Sequence, residues 1–124
     1  MNTTTRDVLV HTVADVRWLV EHGSFVSAAK RLGELRLMLE RVLLAETALV
    51  QRGDSVRAED AERPQAEINS LERTLDSVAS AITHETAELA IAGLGTLERL
   101  LVQHERTART LLSTAGGQFA DANR

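Results

Sequence analysis

The chain contains no cysteine and no tyrosine, and it has one proline, one lysine, one tryptophan and two phenylalanines among 124 residues. Each scarcity removes a class of chemistry. Without cysteine there is no disulfide framework, zinc–thiolate site or thiol nucleophile, and the expected compartment is cytoplasmic. With Trp18, Phe25 and Phe119 as the whole aromatic complement, there is no platform on which unpaired bases could stack, and the core falls to Leu, Val, Ile and Ala. No apolar run approaches the roughly 18–20 residues that span a bilayer. The N-terminal stretch "MNTTTRDVLVHTV" lacks the basic segment and apolar core of a secretory signal. A cationic excess is missing too. Fourteen Lys and Arg stand against eighteen Asp and Glu, a net charge of −4, which argues against nucleic acid as a partner. Arginine supplies every basic residue except Lys30, which reads as coding bias.

What is present is helical periodicity. Apolar residues recur at three- and four-residue spacing throughout, with no period-two run that would mark a strand. Punctuation divides the chain into four. The first helix is expected from about Thr4 to His22, with Thr4 and Asp7 spaced as a capping box. Gly23 fits a left-handed C-terminal position and Ser24 the next N-cap, a junction tight enough for an antiparallel hairpin. The second helix is expected over Phe25 to about Arg52, followed by a polar connection, 53–64. Pro64 suits the first turn of a third helix reaching about Ala92, because its missing N–H is not needed there. "GLG" at 93–95 then reads as a break and Thr96 as the cap of a fourth helix ending near Thr114. The expected architecture is a single all-α domain over 1–114, a four-helix antiparallel bundle, with a flexible tail over 115–124. The alternative is a helical hairpin plus one long kinked helix. No internal repeat is evident.

The run Gly23-Ser24-Phe25, then Ala28-Ala29, then Leu32 resembles the second helix of LysR-type DNA-binding domains. That resemblance implies a small DNA-binding regulator. The family places a turn and a recognition helix next, whereas this chain continues with "GELRLMLERVLLAE" (33–46), built of strong helix formers. Leu32, Leu35, Leu39, Val42 and Leu43 carry one stripe straight through the expected turn.

That same helix has two apolar sides. Phe25, Ala28, Leu32, Leu35, Leu39, Val42, Leu43 and Val50 form the stripe owed to the core, at about 100° per residue. A second stripe of Val26, Gly33, Leu37, Leu44 and Ala48 lies well round the helix. A peripheral helix needs one apolar face, so the second implies either a central position in the fold or a partner. The third helix opposes its core stripe (Ile68, Leu71, Leu75, Val78, Ile82, Leu89) with a smooth face of Ser77, Ser80, Ala81, Ala87 and Ile91 around His84.

Four histidines are the candidates for chemistry. His104 falls on the apolar face of the fourth helix, between Leu97, Leu100, Leu101, Ala108 and Leu111, which suits a core histidine with one satisfied hydrogen bond. His84 and Glu88, four apart, have the spacing of paired ligands, but no second helix converges on them, and di-iron Glu-x-x-His pairs are missing. No metal or cofactor is therefore expected. Arg6 with His11, Arg17 with His22, and Arg99 with His104 share an Arg-x4-His spacing similar to the ribonuclease motif of HEPN domains, small helical bundles that dimerise. The resemblance implies Arg6, His11, Arg99 and His104 as catalytic candidates. On an unbroken helix, however, five residues separate two side chains by about 140°.

The reading with most support is a non-enzymatic helical interaction module, an adaptor, regulator or chaperone. It would be a homodimer joined through Val26, Gly33, Leu37, Leu44 and Ala48 of the second helix and open to a further protein partner. A HEPN-like dimeric ribonuclease and a DNA-binding regulator are the alternatives.

Overall fold

The computed structural model describes the backbone over residues 1–52 and 58–122, and side chains over 1–46, 48 and 65–107. Four helices follow in order: α1 (Thr3–Glu21), α2 (Phe25–Arg52), α3 (Ala58–Thr83) and α4 (Ala87–Ala122). Among the described residues there is no strand. Each helix packs on two neighbours, α1 on α2, α2 on α3, α3 on α4 and α4 on α1, so the bundle closes as a ring. The core is aliphatic, with Leu9, Val16, Leu35, Leu39, Leu71, Ile82, Leu94 and Leu101 fully enclosed. At roughly 1.5–3 kcal/mol per buried side chain, this core is the dominant stabilising term.

Both hairpin turns are built alike. After α1, Gly23 takes φ +74°; its N–H donates to the Val20 carbonyl at 3.1 Å and that of Ser24 to Leu19 at 2.8 Å. After α3, Glu85 takes φ +54°; its N–H donates to Ile82 at 3.0 Å and that of Thr86 to Ala81 at 2.8 Å. These are paired Schellman closures, which satisfy the last carbonyls of each helix. At each, a histidine in the final turn donates from Nδ1 to the carbonyl four residues back, His22 to Trp18 at 2.7 Å and His84 to Ser80 at 2.8 Å.

The likeness extends far beyond the turns. An offset of 62 residues (71 − 9) superposes Leu9 on Leu71, Thr12 on Thr74, Val16 on Val78 and His22 on His84. It also superposes Ala28 on Ala90, Leu32 on Leu94, Gly33 on Gly95, Leu35 on Leu97 and Leu39 on Leu101. Six of these nine pairs are core positions in both halves; the histidines lie at the two turns. The bundle is thus two related helical hairpins, where the periodicity alone shows no repeat.

Several boundaries differ from expectation. Asn2, not Thr4, caps α1, its side chain accepting from the Thr5 N–H at 2.7 Å. The chain turns at 84–86 and not at "GLG", so α4 begins at Ala87 and Thr96 lies inside it, its hydroxyl donating to the Ala92 carbonyl at 3.2 Å. Gly93 is a packing residue: a Cβ there would stand 2.6 Å from Cγ2 of Val78. Leu89, expected in the core, is 65% exposed because the turn precedes it, and Ala81 is buried for the same reason. The third helix starts six residues early, at Ala58, since Ala58, Glu59, Ala61 and Glu62 are strong helix formers, and Pro64 lies beyond its first turn. The tail expected over 115–124 is helical as far as Ala122. Gly53-Asp54 and the side chains of Val50, Ala108 and Leu111 lie outside the described residues.

Candidate functional site

Two features stand apart from the aliphatic core: the outer face of α2, and a polar cluster buried away from the two tight turns.

The outer face of α2 carries the second apolar stripe. In the bundle α1 and α3 flank α2 on its inner side, and the stripe faces away from both. Val26 is 87% exposed, Leu37 57% and Leu44 71%, with Gly33 and Ala48 exposed between and beyond them. A Cβ at Gly33 would meet nothing within 4 Å, so no contact inside the chain requires glycine there. The repeat supplies an internal comparison. The 62-residue offset sets Val26, Leu37 and Leu44 against Glu88, Arg99 and Arg106 on α4. The same fold position is therefore charged on one hairpin and apolar on the other.

In the polar cluster, α2, α3 and α4 meet at His104, whose side chain is 2% exposed. Its Nδ1 lies 2.6 Å from Oε2 of Glu67 and its Nε2 2.6 Å from Oε2 of Glu46. A neutral imidazole donates from one nitrogen only, whereas two carboxylates at this distance match an imidazolium donating from both. Burial alone would lower the His104 pKa, but the hydrogen bonds it donates to Glu46 and Glu67 outweigh it and the net direction is up. Burial likewise favours neutral Glu46, yet His104 and the Met1 amino group bring its pKa below the ordinary value. The Met1 amino group donates to Oε1 of Glu46, and Thr107 donates to Oε1 of Glu67 at 2.7 Å. Beside them Glu105, fully buried, accepts from Arg6 Nη1 and from Thr3 Oγ1, each at 3.4 Å. Side chains from all four helices are thereby tied together.

Among the described residues every buried side-chain nitrogen and oxygen has a hydrogen-bond partner, and no three acidic or histidine side chains are placed to hold a metal. A group engaged on both ring nitrogens has no free lone pair for a substrate proton or a ligand. The arrangement can therefore clasp helices and respond to pH. His104 differs from expectation in having two carboxylate partners where one hydrogen bond was foreseen.

The Arg-x4-His pairs are not brought together. Arg6 turns to Glu105 and Asp7 while His11 is exposed beside Asp15, 3.8 Å away. Arg17 pairs with Glu21 at 3.4 Å, and His22 stacks on Trp18 with ring centroids 4.0 Å apart. Arg99 is exposed and donates to Thr96 Oγ1 at 3.2 Å, whereas His104 is inside. At the LysR-like run, Ala28 and Leu32 are core, the Ser24 carbonyl accepts from the Ala28 N–H at 2.9 Å, and α2 continues unbroken through 33–46. His84 opens the 84–86 turn and Glu88 lies beyond it in the first turn of α4; both are exposed.

Comparison with protein-family models, with characterised proteins and with solved structures finds no match to this chain.

Proposed function

We propose that the chain is a non-enzymatic helical interaction module that self-associates through the outer face of α2. One observation carries this reading. Val26, Leu37 and Leu44 are exposed at positions where the repeat places Glu88, Arg99 and Arg106, so the fold does not call for apolar residues there. A row of exposed apolar side chains marks an interaction surface or, left uncovered, an aggregation liability. A second copy is the partner always present, and two-fold homodimers are the commonest assemblies. An adaptor, regulator or chaperone role follows from such a module, with a further protein partner bound elsewhere on the bundle.

The test is the double variant Leu37→Glu, Leu44→Glu in sedimentation velocity over a concentration series, with circular dichroism alongside. The wild type should gain mass with concentration, and the variant should stay monomeric at unchanged helicity. A wild type that is monomeric throughout overturns the reading. So does a double variant that unfolds, which would put the stripe inside the fold.

A further inference from the structure

The outer face of α2 repeats in a way that selects one orientation for a second copy. Val26, Lys30, Gly33, Leu37, Glu40 and Leu44 are spaced alternately four and three apart, the seam of a left-handed coiled coil. All six are exposed. The side chains along this seam are complementary about its midpoint. Val26 and Leu44 are apolar and equidistant from position 35. Lys30 and Glu40 are opposite charges, also equidistant from 35. Gly33 and Leu37, a hole and a knob, are equidistant from 35 as well.

We propose that two copies of the chain pair α2 against α2 antiparallel, about a two-fold axis level with Leu35. Val26 then packs on Leu44 of the second copy, Lys30 on Glu40, and Gly33 receives Leu37. This rests on the self-association reading above and adds its geometry. A parallel pairing would set Lys30 on Lys30, Glu40 on Glu40 and Gly33 on Gly33, two like-charge contacts and a void in one seam. The antiparallel register removes all three faults, and because each contact occurs twice it is the isologous interface a two-fold dimer requires. Gly33 leaves room for the facing Leu37, since a Cβ on it would meet nothing within 4 Å among the described residues of its own chain. Neither Lys30 nor Glu40 forms an ion pair with a described residue of its own chain, so both charges are available to a second copy. The seam from Val26 to Leu44 runs about 27 Å along the helix. That length places the interface at the small end of specific contacts, so association should depend on concentration.

Lys30 is the only lysine in the chain, which makes the register directly readable. Zero-length carbodiimide coupling of wild-type protein, followed by peptide mapping, should join Lys30 to Glu40. The two lie ten residues, about 15 Å, apart along one helix, so that amide can form only between copies. Single-cysteine variants give a second readout in this cysteine-free chain. Val26→Cys mixed with Leu44→Cys should oxidise to the mixed disulfide dimer, and Val26→Cys alone should not. In sedimentation, Lys30→Glu and Glu40→Lys should each weaken association about tenfold, and the double swap should recover it. A dimer in which Val26→Cys cross-links to itself, or in which the double swap fails to recover, overturns the antiparallel register and leaves self-association standing. A wild type that never associates overturns both.

Discussion

Replacing His104 by leucine tests whether the buried cluster is a clasp. His104 is 2% exposed and holds Glu46 and Glu67, whose side chains are 17% and 12% exposed, at 2.6 Å each. Leucine is close enough in volume to leave little cavity, so the cost is electrostatic. Two carboxylates with little access to water lose the cation between them, and removing one partner of a buried charge network costs about 3–5 kcal/mol. For a chain of this size that corresponds to roughly 10–20 °C in Tm. The assay is urea unfolding followed by circular dichroism across pH. The folded pKa of His104 is raised, so its contribution is complete below about pH 6.5 and is lost as pH rises through the folded value. That of Glu46 is lowered, so its contribution is complete above about pH 4.5 and is lost as pH falls through the folded value. Wild-type stability should therefore be greatest between about pH 4.5 and 6.5 and decline on the alkaline side, and His104→Leu should abolish that alkaline decline. A His104→Leu protein within 1 kcal/mol of wild type at pH 6, or a wild type equally stable at pH 6 and 9, would refute the imidazolium clasp.

Two further predictions concern the backbone. Gly93→Ala should destabilise by about 1–2 kcal/mol by pushing against Val78, a stiff β-branched neighbour at 2.6 Å, while Gly95→Ala, with nothing within 4 Å, should stabilise by about 0.5–1 kcal/mol. Thermal melts of the two variants check this, and an equal response at both positions would refute it. At the turns, Glu85→Gly should stabilise by about 1 kcal/mol by relieving a left-handed non-glycine residue, and Gly23→Ala should cost a similar amount. The opposite signs in urea titrations are the result to seek; matching signs would sink the argument.

The helices themselves were legible because each buries one stripe of a 3.6-residue pattern, and the expected bounds of α2, Phe25 and Arg52, are those of the structure. The junction between α3 and α4 was not. Two glycines at 93 and 95 carry the composition of a break, yet one serves close packing and the helix tolerates both. The true turn hangs on Glu85, whose residue type gives no turn signal. The signal that could have located it was the repeat, which aligns His84-Glu85-Thr86 with His22-Gly23-Ser24. That repeat hides in sequence because the matching residues are mostly core leucines, valines and alanines, with single threonine, histidine and glycine matches, scattered among unrelated surface residues. The apolar outer stripe of α2 was readable for the same reason as the core stripes, being periodic within one helix. The polar cluster was not readable, because Glu46, Glu67 and His104 share no spacing and meet only through tertiary packing. His104 alone, an ionisable group on an apolar face, marked the place.

The cluster also sits where the two hairpins cease to match. Through Leu39 and Leu101 the core positions agree, and one step beyond, Leu43 on α2 corresponds to Glu105 on α4 and Val42 to His104. Had the bundle needed only hydrophobic burial, the repeat could have continued, so these polar residues answer to something other than burial. Two copies of the first hairpin would bring Val42 and Leu43 together with no polar pairing. Two copies of the second would bury two Glu105 carboxylates with Ile68 where Arg6 now stands. Only the unlike pair supplies Glu46 to His104 and Arg6 to Glu105, and such registry is the best-attested use of buried ionic groups. Specificity and stability then separate in a measurable way. Glu105→Leu restores the residue that the repeat has at Leu43 and leaves Arg6 its contact with Asp7 at 3.0 Å. It should therefore stay within about 1 kcal/mol of wild type, because Arg6, 24% exposed and still paired with Asp7, is not left as a buried unpaired charge. Equilibrium unfolding of Glu105→Leu beside His104→Leu decides the point. A loss at Glu105 as large as that at His104 would show that the network is held for stability and not for the pairing of unlike hairpins.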